Sequence, residues 1–122
     1  MLPGPGLHEL PRLMPYGEAL TLLLTGGTLP ATRAVELGLV QRLAGDRDEL
    51  VRIARELADE IAACAPLAVE ATKAIVRSTR GLPLAEAWAV AEPEVRRVAA
   101  SDDAREGPRA FVEHRAPEWT GH

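Results

Sequence analysis

Leucine, isoleucine and valine recur at three- and four-residue steps along most of this chain, the spacing of one face of an α-helix. The clearest run is Leu50, Ile53, Leu57, Ile61 and Cys64, a single apolar stripe. Ahead of it, Asp46-Arg47-Asp48-Glu49 has capping-box character, with Glu49 three residues past Asp46. Leu13, Tyr16, Leu20, Leu23 and Leu24 predict an earlier amphipathic helix over about 12–24, with Pro15 in its first turn and Gly26-Gly27 ending it. A short helix over about 30–37 begins at Pro30 and is capped by Gly38. Leu39 to Leu43 reads as a brief extended piece.

Downstream, Pro66 is placed to start a helix whose inner face is Val69, Thr72, Ile75 and Val76, and Gly81 closes it. Pro83 opens a further helix reaching about Ala100. Pro93 lies inside that helix and removes one backbone hydrogen bond, which predicts a kink near 89–93. Ser101 or Asp102 can cap a last helix that ends near Arg115, and Pro117, Trp119 and Gly121 mark a tail. Residues 1–11 hold Pro3, Gly4, Pro5, Gly6 and Pro11 and are expected to be loop. The expected architecture is mainly α, a single helical segment over 1–122, with no repeat or linker that divides it.

At 122 residues the chain is one domain at most, long enough for a modest core. Aromatics are only 3% of it, so the core falls to Leu, Val and Ala. The formal charge of −4, with Lys and Arg scattered, argues against a nucleic-acid partner, which needs a concentrated cationic face. No stretch has the length of a membrane span, so no membrane partner is expected. The N-terminus lacks the basic start and apolar run of a secretory signal. A single cysteine, Cys64, fits a reducing cytoplasm, and a small buried residue at a helix end is its expected role.

Candidate chemistry is sparse. His8, His114 and His122 are far apart and form no metal-ligand spacing, so no metal site is expected. Neither GxSxG nor a phosphate-cradling glycine loop is present, and Gly4-Pro5-Gly6 is a poor imitation of one. Read from its residues alone, the chain is a mostly helical domain with an interaction surface.

The stretch from Ser101 to Arg115 follows S-x-D-x-x-E-G-x-x-A-F-x-E-x-R. With Leu22-Leu23-Leu24-Thr25-Gly26, Ala31, Ala34, Gly38-Leu39-Val40, Ala65-Pro66-Leu67-Ala68 and Lys73, it resembles the enoyl-CoA hydratase/isomerase (crotonase) family. The resemblance runs from about Leu2 to Trp119. It implies the helical C-terminal region of a crotonase-like fold, without the N-terminal β-β-α spiral core, and a trimer-based homo-oligomer. It also implies acyl-CoA as partner if the chain is completed by the missing half, coenzyme A being part of the substrate rather than a separate cofactor, with hydration of a 2-enoyl-CoA as the default reaction. Two backbone N–H groups hold the thioester oxygen in such enzymes, and two glutamates manage water and proton.

Those catalytic elements belong upstream of Met1 in the family pattern. The chain is therefore expected to be a shortened one, to have no catalytic residue of its own, and to be inactive alone. The alternative is a non-catalytic helical module for oligomerisation or partner binding. Glu9 and Glu18 match no catalytic position and are expected on solvated faces. Pro3 and Gly4 fall where the family glycine loop lies beside the catalytic water, although that loop's double glycine is lost and His8 enters it. Phe111 is expected either in the core or against the adenine end of CoA. Arg115 is either a solvated charge or a cation for a CoA phosphate. Trp88 and Trp119 are expected to be buried against helices or at a subunit interface.

Overall fold

The computed structural model describes residue 4 and residues 6–122. Among them are seven helices and no strand: α1 (Gly6–Leu13), α2 (Tyr16–Thr25), α3 (Ala31–Glu36), α4 (Arg47–Ala62), α5 (Pro66–Ser78), α6 (Leu84–Ala99) and α7 (Asp103–Val112). The mainly α architecture is as expected. The chain gathers into two compact units, Met1–Ile53 and Ala54–His122, with the division inside α4. The closest packing joins sequence neighbours, α1 with α2, α5 with α6 and α6 with α7. Packing that stays local gives each unit its own small core.

Helix ends follow their residues. Gly26 ends α2 at φ 63°, donating its N–H to the Leu22 carbonyl. Gly38 lies at φ 75°, its N–H bonded to Val35 O while that of Leu39 reaches back to Ala34 O, the paired closure of a Schellman end. Asp46 Oδ1 accepts the Glu49 N–H at 2.8 Å, and the Glu49 carboxylate takes the Gly45 N–H at 2.7 Å. The reciprocal bond thus lands one residue earlier than in a standard capping box. Pro66 starts α5, and Gly81 follows it at φ 81°.

Three expected elements differ. Residues 6–13, expected as loop, form α1. Gly4 O accepts the Leu7 N–H at 3.3 Å, and the helix passes through Pro11. Over its eight residues the proline costs a single hydrogen bond. That helix and α2 are separated at Met14-Pro15, where one helix over 12–24 was expected. Residues 39–43 are bend and irregular chain rather than a strand. The N–H groups of Leu39 and Val40 both turn back to Ala34 O, so neither is offered to a sheet.

Of the Leu, Val and Ala expected in the core, alanine supplies most of the buried apolar residues among those described. They are Met14, Ala19 and Ala34 in the first unit and Ala71, Ala91 and Ala110 in the second. Five of these six are alanines, whose single methyl is worth only about 0.8 kcal/mol on burial. The expected stripes are displayed instead. No residue of α4 is buried, and Leu50, Leu57 and Ile61 are exposed, as is Val76 of the expected inner face of α5. Cys64, expected buried, is exposed, because its carrier helix has no covering layer. Trp88 is exposed as well.

Candidate functional site

The residues quoted from the last helix come together at its two ends. Ser101 bridges two helices: its Oγ donates to Val98 O at 2.7 Å and accepts the Ala104 N–H at 3.2 Å. It therefore closes α6 and caps α7 with one hydroxyl. Asp103, 4% exposed, turns its carboxylate to the tail. Oδ1 accepts the Thr120 N–H at 2.7 Å and the Thr120 hydroxyl at 3.1 Å, and Oδ2 accepts the Gly121 N–H at 3.1 Å. The Thr120 backbone bond is the main cause that holds this carboxyl below its ordinary range, against the opposing effect of burial. Beside it the Asp102 N–H donates to His122 O at 2.7 Å.

One turn on, Glu106 is clamped. Arg115 donates Nη1–H to Oε1 at 2.5 Å and Nη2–H to Oε2 at 2.9 Å, a fork-to-fork pair. The Glu118 N–H adds a third bond to Oε1 at 2.8 Å. The Arg115 guanidinium first, and then that N–H, lower the Glu106 carboxyl to about 2. Arg115 also donates Nε–H to Glu113 at 2.6 Å, and Arg109 holds the other Glu113 oxygen at 2.9 Å. The bonds to Glu106 and then to Glu113 raise Arg115 above its usual range, and those from Arg109 and then Arg115 depress Glu113.

The tail returns to the start of the second unit. The Trp119 indole N–H donates to Ala63 O at 2.7 Å, just past the end of α4. A Cβ placed on Gly107 would stand 3.4 Å from the Trp119 ring, and one on Gly121 would stand 3.4 Å from Pro66. The E-G step of the signature thus has a local reason: the glutamate grips the tail, and the glycine leaves room for its indole. Trp119 is half-buried, in line with the expected packing against helices.

Phe111 and Val112 stand at the other face of the helix end, 80% and 75% exposed, while neighbouring Ala110 is buried. Of the two roles expected for Phe111, burial in this chain's core is not the one observed. The helix closes after it through His114 at φ 52°, with the His114 N–H on Phe111 O and the Arg115 N–H on Ala110 O. A non-glycine residue in this left-handed position costs roughly 1–2 kcal/mol. Phe111 and Arg115 are therefore held at one helix end. A phosphate approaching Arg115 would compete with two carboxylates already bound.

Of the remaining candidates, Pro3 lies outside the described residues. Gly4 is exposed and its carbonyl receives the first bond of α1, and His8 is exposed on that helix. Glu18 pairs with Arg33 at 2.5 Å within the first unit. Among the described residues no group of three or more His, Cys, Asp and Glu is arranged to hold a metal ion. An apolar cleft of about 380 Å³ lies along α5, lined by Ile61, Cys64, Ala68, Val69, Thr72 and Lys73.

Asp103 and Glu106 carry the geometry of this region, yet sequence reasoning gave them no role. Their signal was present: two carboxylates three residues apart, followed by a tail rich in backbone donors. Sequence spacing alone does not say which donors turn back.

The family model described as enoyl-CoA hydratase/isomerase matches residues 1–122. The chain belongs to that family. A carnitinyl-CoA dehydratase of Proteus mirabilis is 42% identical over 120 residues, which is 95% of this chain and 46% of that protein. An enoyl-CoA hydratase of Mycobacterium tuberculosis is 44% identical over 116 residues, covering 95% and 43%. Among solved structures, an enoyl-CoA hydratase from Mycobacterium tuberculosis superposes with a TM-score of 0.84 at 46% identity, over 96% of this chain and 46% of that one. One from Bacillus anthracis gives 0.86 at 32% identity, over 96% and 45%. The chain spans about half the length of the relatives it matches. Its helices, without a strand among the described residues, correspond to the expected helical C-terminal region of the enoyl-CoA hydratase/isomerase fold.

Proposed function

We propose that this chain is the helical part of an enzyme acting on acyl-CoA thioesters, with hydration of a 2-enoyl-CoA as the reaction of the whole. The observation that carries this reading is Phe111, an aromatic displayed at a helix end where Arg115 is paired with Glu106 and Glu113. Base–aromatic stacking is worth about 1–3 kcal/mol, so a displayed phenylalanine suits the adenine end of coenzyme A. Arg115 serves first to set the helix end and so to aim Phe111. Pro3 and Gly4 are assigned to the acyl side of the same substrate. Coenzyme A enters only as part of that substrate, and the setting is cytoplasmic.

The chain alone is proposed not to perform the hydration. A general acid near neutral pH needs a carboxyl pushed upward by burial or by a like charge. The carboxyls displaced here, Asp103, Glu106 and Glu113, are all pushed downward by donors and cations. The test is an assay of a short 2-enoyl-CoA with the purified chain. Hydration stays at the uncatalysed background on this reading. Turnover that survives purification and scales with chain concentration contradicts it.

A second reading has one observation in its favour: α4 buries none of its residues, although it carries an apolar stripe. A helical module that associates with copies of itself would cover that stripe. The chain is then oligomeric in sedimentation velocity at micromolar concentration, and a well-folded monomer counts against this reading.

A further inference from the structure

The tail after Arg115 is held largely through its backbone, beginning with Ala116 O, which accepts from Arg115 Nη1–H at 3.0 Å. Thr120 and Gly121 are held by the Asp103 carboxylate, Glu118 by Glu106, and His122 O by the Asp102 N–H. The Trp119 indole reaches past α7 to Ala63 O, and Gly121 lies close to the Pro66 ring. Three of the bonds to Asp103 come from two adjacent residues, Thr120 and Gly121, and converge on one carboxylate. Losing the charge of this one acceptor weakens all three bonds at once.

We propose that the Asp103 carboxylate is the principal fastening of a strap formed by residues 116–122, and that loss of this charge loosens the strap, Trp119 included, while the helices stay folded. The helices have their own support. Helix α7 is capped by Ser101 Oγ and closed at Arg115 N–H, and neither bond involves Asp103. Helices α5 and α6 pack on each other independently of the tail. The strap in turn has little apolar anchorage, its one large side chain being the half-buried Trp119. When released it frees Ala63 O, beside a cleft of about 230 Å³ lined by Ile61, Ala62, Cys64, Pro66, Val69 and Glu70.

The charges that face Asp103 come from two elements. From α7 and its cap these are Asp102, Arg105, Glu106 and Arg109, and from the tail Glu118 and His122. Asp102 is paired with Arg105 at 2.9 Å, and Glu106 with Arg115. His122 lowers the Asp103 carboxyl further. The strap is accordingly fastened at and above the ordinary carboxylate range and opens only as the pH falls through the depressed value of Asp103.

The test compares Asp103→Asn with Asp102→Asn in the full 122-residue chain carrying Trp88→Phe, so that Trp119 is the only indole. Asp102→Asn makes the same charge change one residue away and leaves the Thr120 and Gly121 bonds intact. The expected result for Asp103→Asn at neutral pH is a Trp119 indole N–H resonance moved to its free-peptide position. Tryptic cleavage after Arg115 is then at least about tenfold faster, and the helical circular dichroism is unchanged. Asp102→Asn should show none of this. The proposal is overturned if Asp103→Asn leaves the indole resonance in place, or if both variants behave alike. Should Asp103→Asn fail to fold, an acid titration of the Trp88→Phe chain decides. Indole release at a higher pH than helix loss supports the strap, and a single shared midpoint overturns it.

Discussion

Arg115 meets Glu106 through both ends of its guanidinium, at 2.5 and 2.9 Å, across nine residues of sequence. The pair spans the helix end at which Phe111 is displayed, and the same glutamate holds the Glu118 N–H of the tail. Breaking it leaves Arg115 with Glu113 and Ala116 O and removes one hold on the tail. Glu106→Gln, which keeps shape and loses charge, is expected to lower the thermal midpoint by several degrees, measured by circular dichroism. Glu118→Gln changes an exposed side chain whose backbone N–H, not its carboxylate, makes the bond, and should leave the midpoint nearly unmoved.

The same contact has a pH signature. The Glu106 carboxyl is lowered from its ordinary 4.5 to about 2, chiefly by Arg115. A depressed carboxyl contributes stability in full above its unfolded value, and that contribution is lost as the pH falls through the folded one. Stability should therefore be flat above pH 5, as far as Glu106 is concerned, and decline between about 4.5 and 2. Glu106→Gln should flatten that decline, as denaturant midpoints across this window will show.

Gly107 separates two effects. Alanine there gains about 1 kcal/mol in helix propensity, and its Cβ would sit 3.4 Å from the Trp119 ring, an ordinary contact. Gly107→Ala is expected to raise the thermal midpoint slightly. Gly107→Leu must displace the indole, and should lower the midpoint and shift tryptophan emission to the red.

His114 occupies the left-handed position after α7 at φ 52°. Glycine removes the side-chain clash there, and His114→Gly is expected to stabilise the chain by about 1 kcal/mol in a denaturant titration.

Much of the local structure was legible in the sequence. Gly26, Gly38, Pro66 and Gly81 mark real helix ends because the backbone angles they permit are what those ends require. Asp46 and Glu49 form the cap their spacing suggests. Helix α1 was not legible, because Pro11 is a breaker by type and is tolerated only where one lost bond matters little. Nor were the buried positions. Periodicity ranks Leu57 and Ile61 above Ala71 and Ala110, but which stripe is covered depends on what packs against it. Cys64 was misplaced for the same reason. At the candidate site, the motif letters pointed to Phe111 and Arg115. The roles of Asp103, Glu106 and Trp119 rest on contacts reaching 9 to 56 residues along the chain, for which sequence spacing has no signal.

The most direct measurement is a calorimetric titration of the full chain and of Phe111→Ala with a short 2-enoyl-CoA. The account predicts saturable binding by the parent chain and an affinity about tenfold weaker for Phe111→Ala, the loss of one aromatic–base stack. Equal affinity for the two, or no binding by the parent chain, would contradict it.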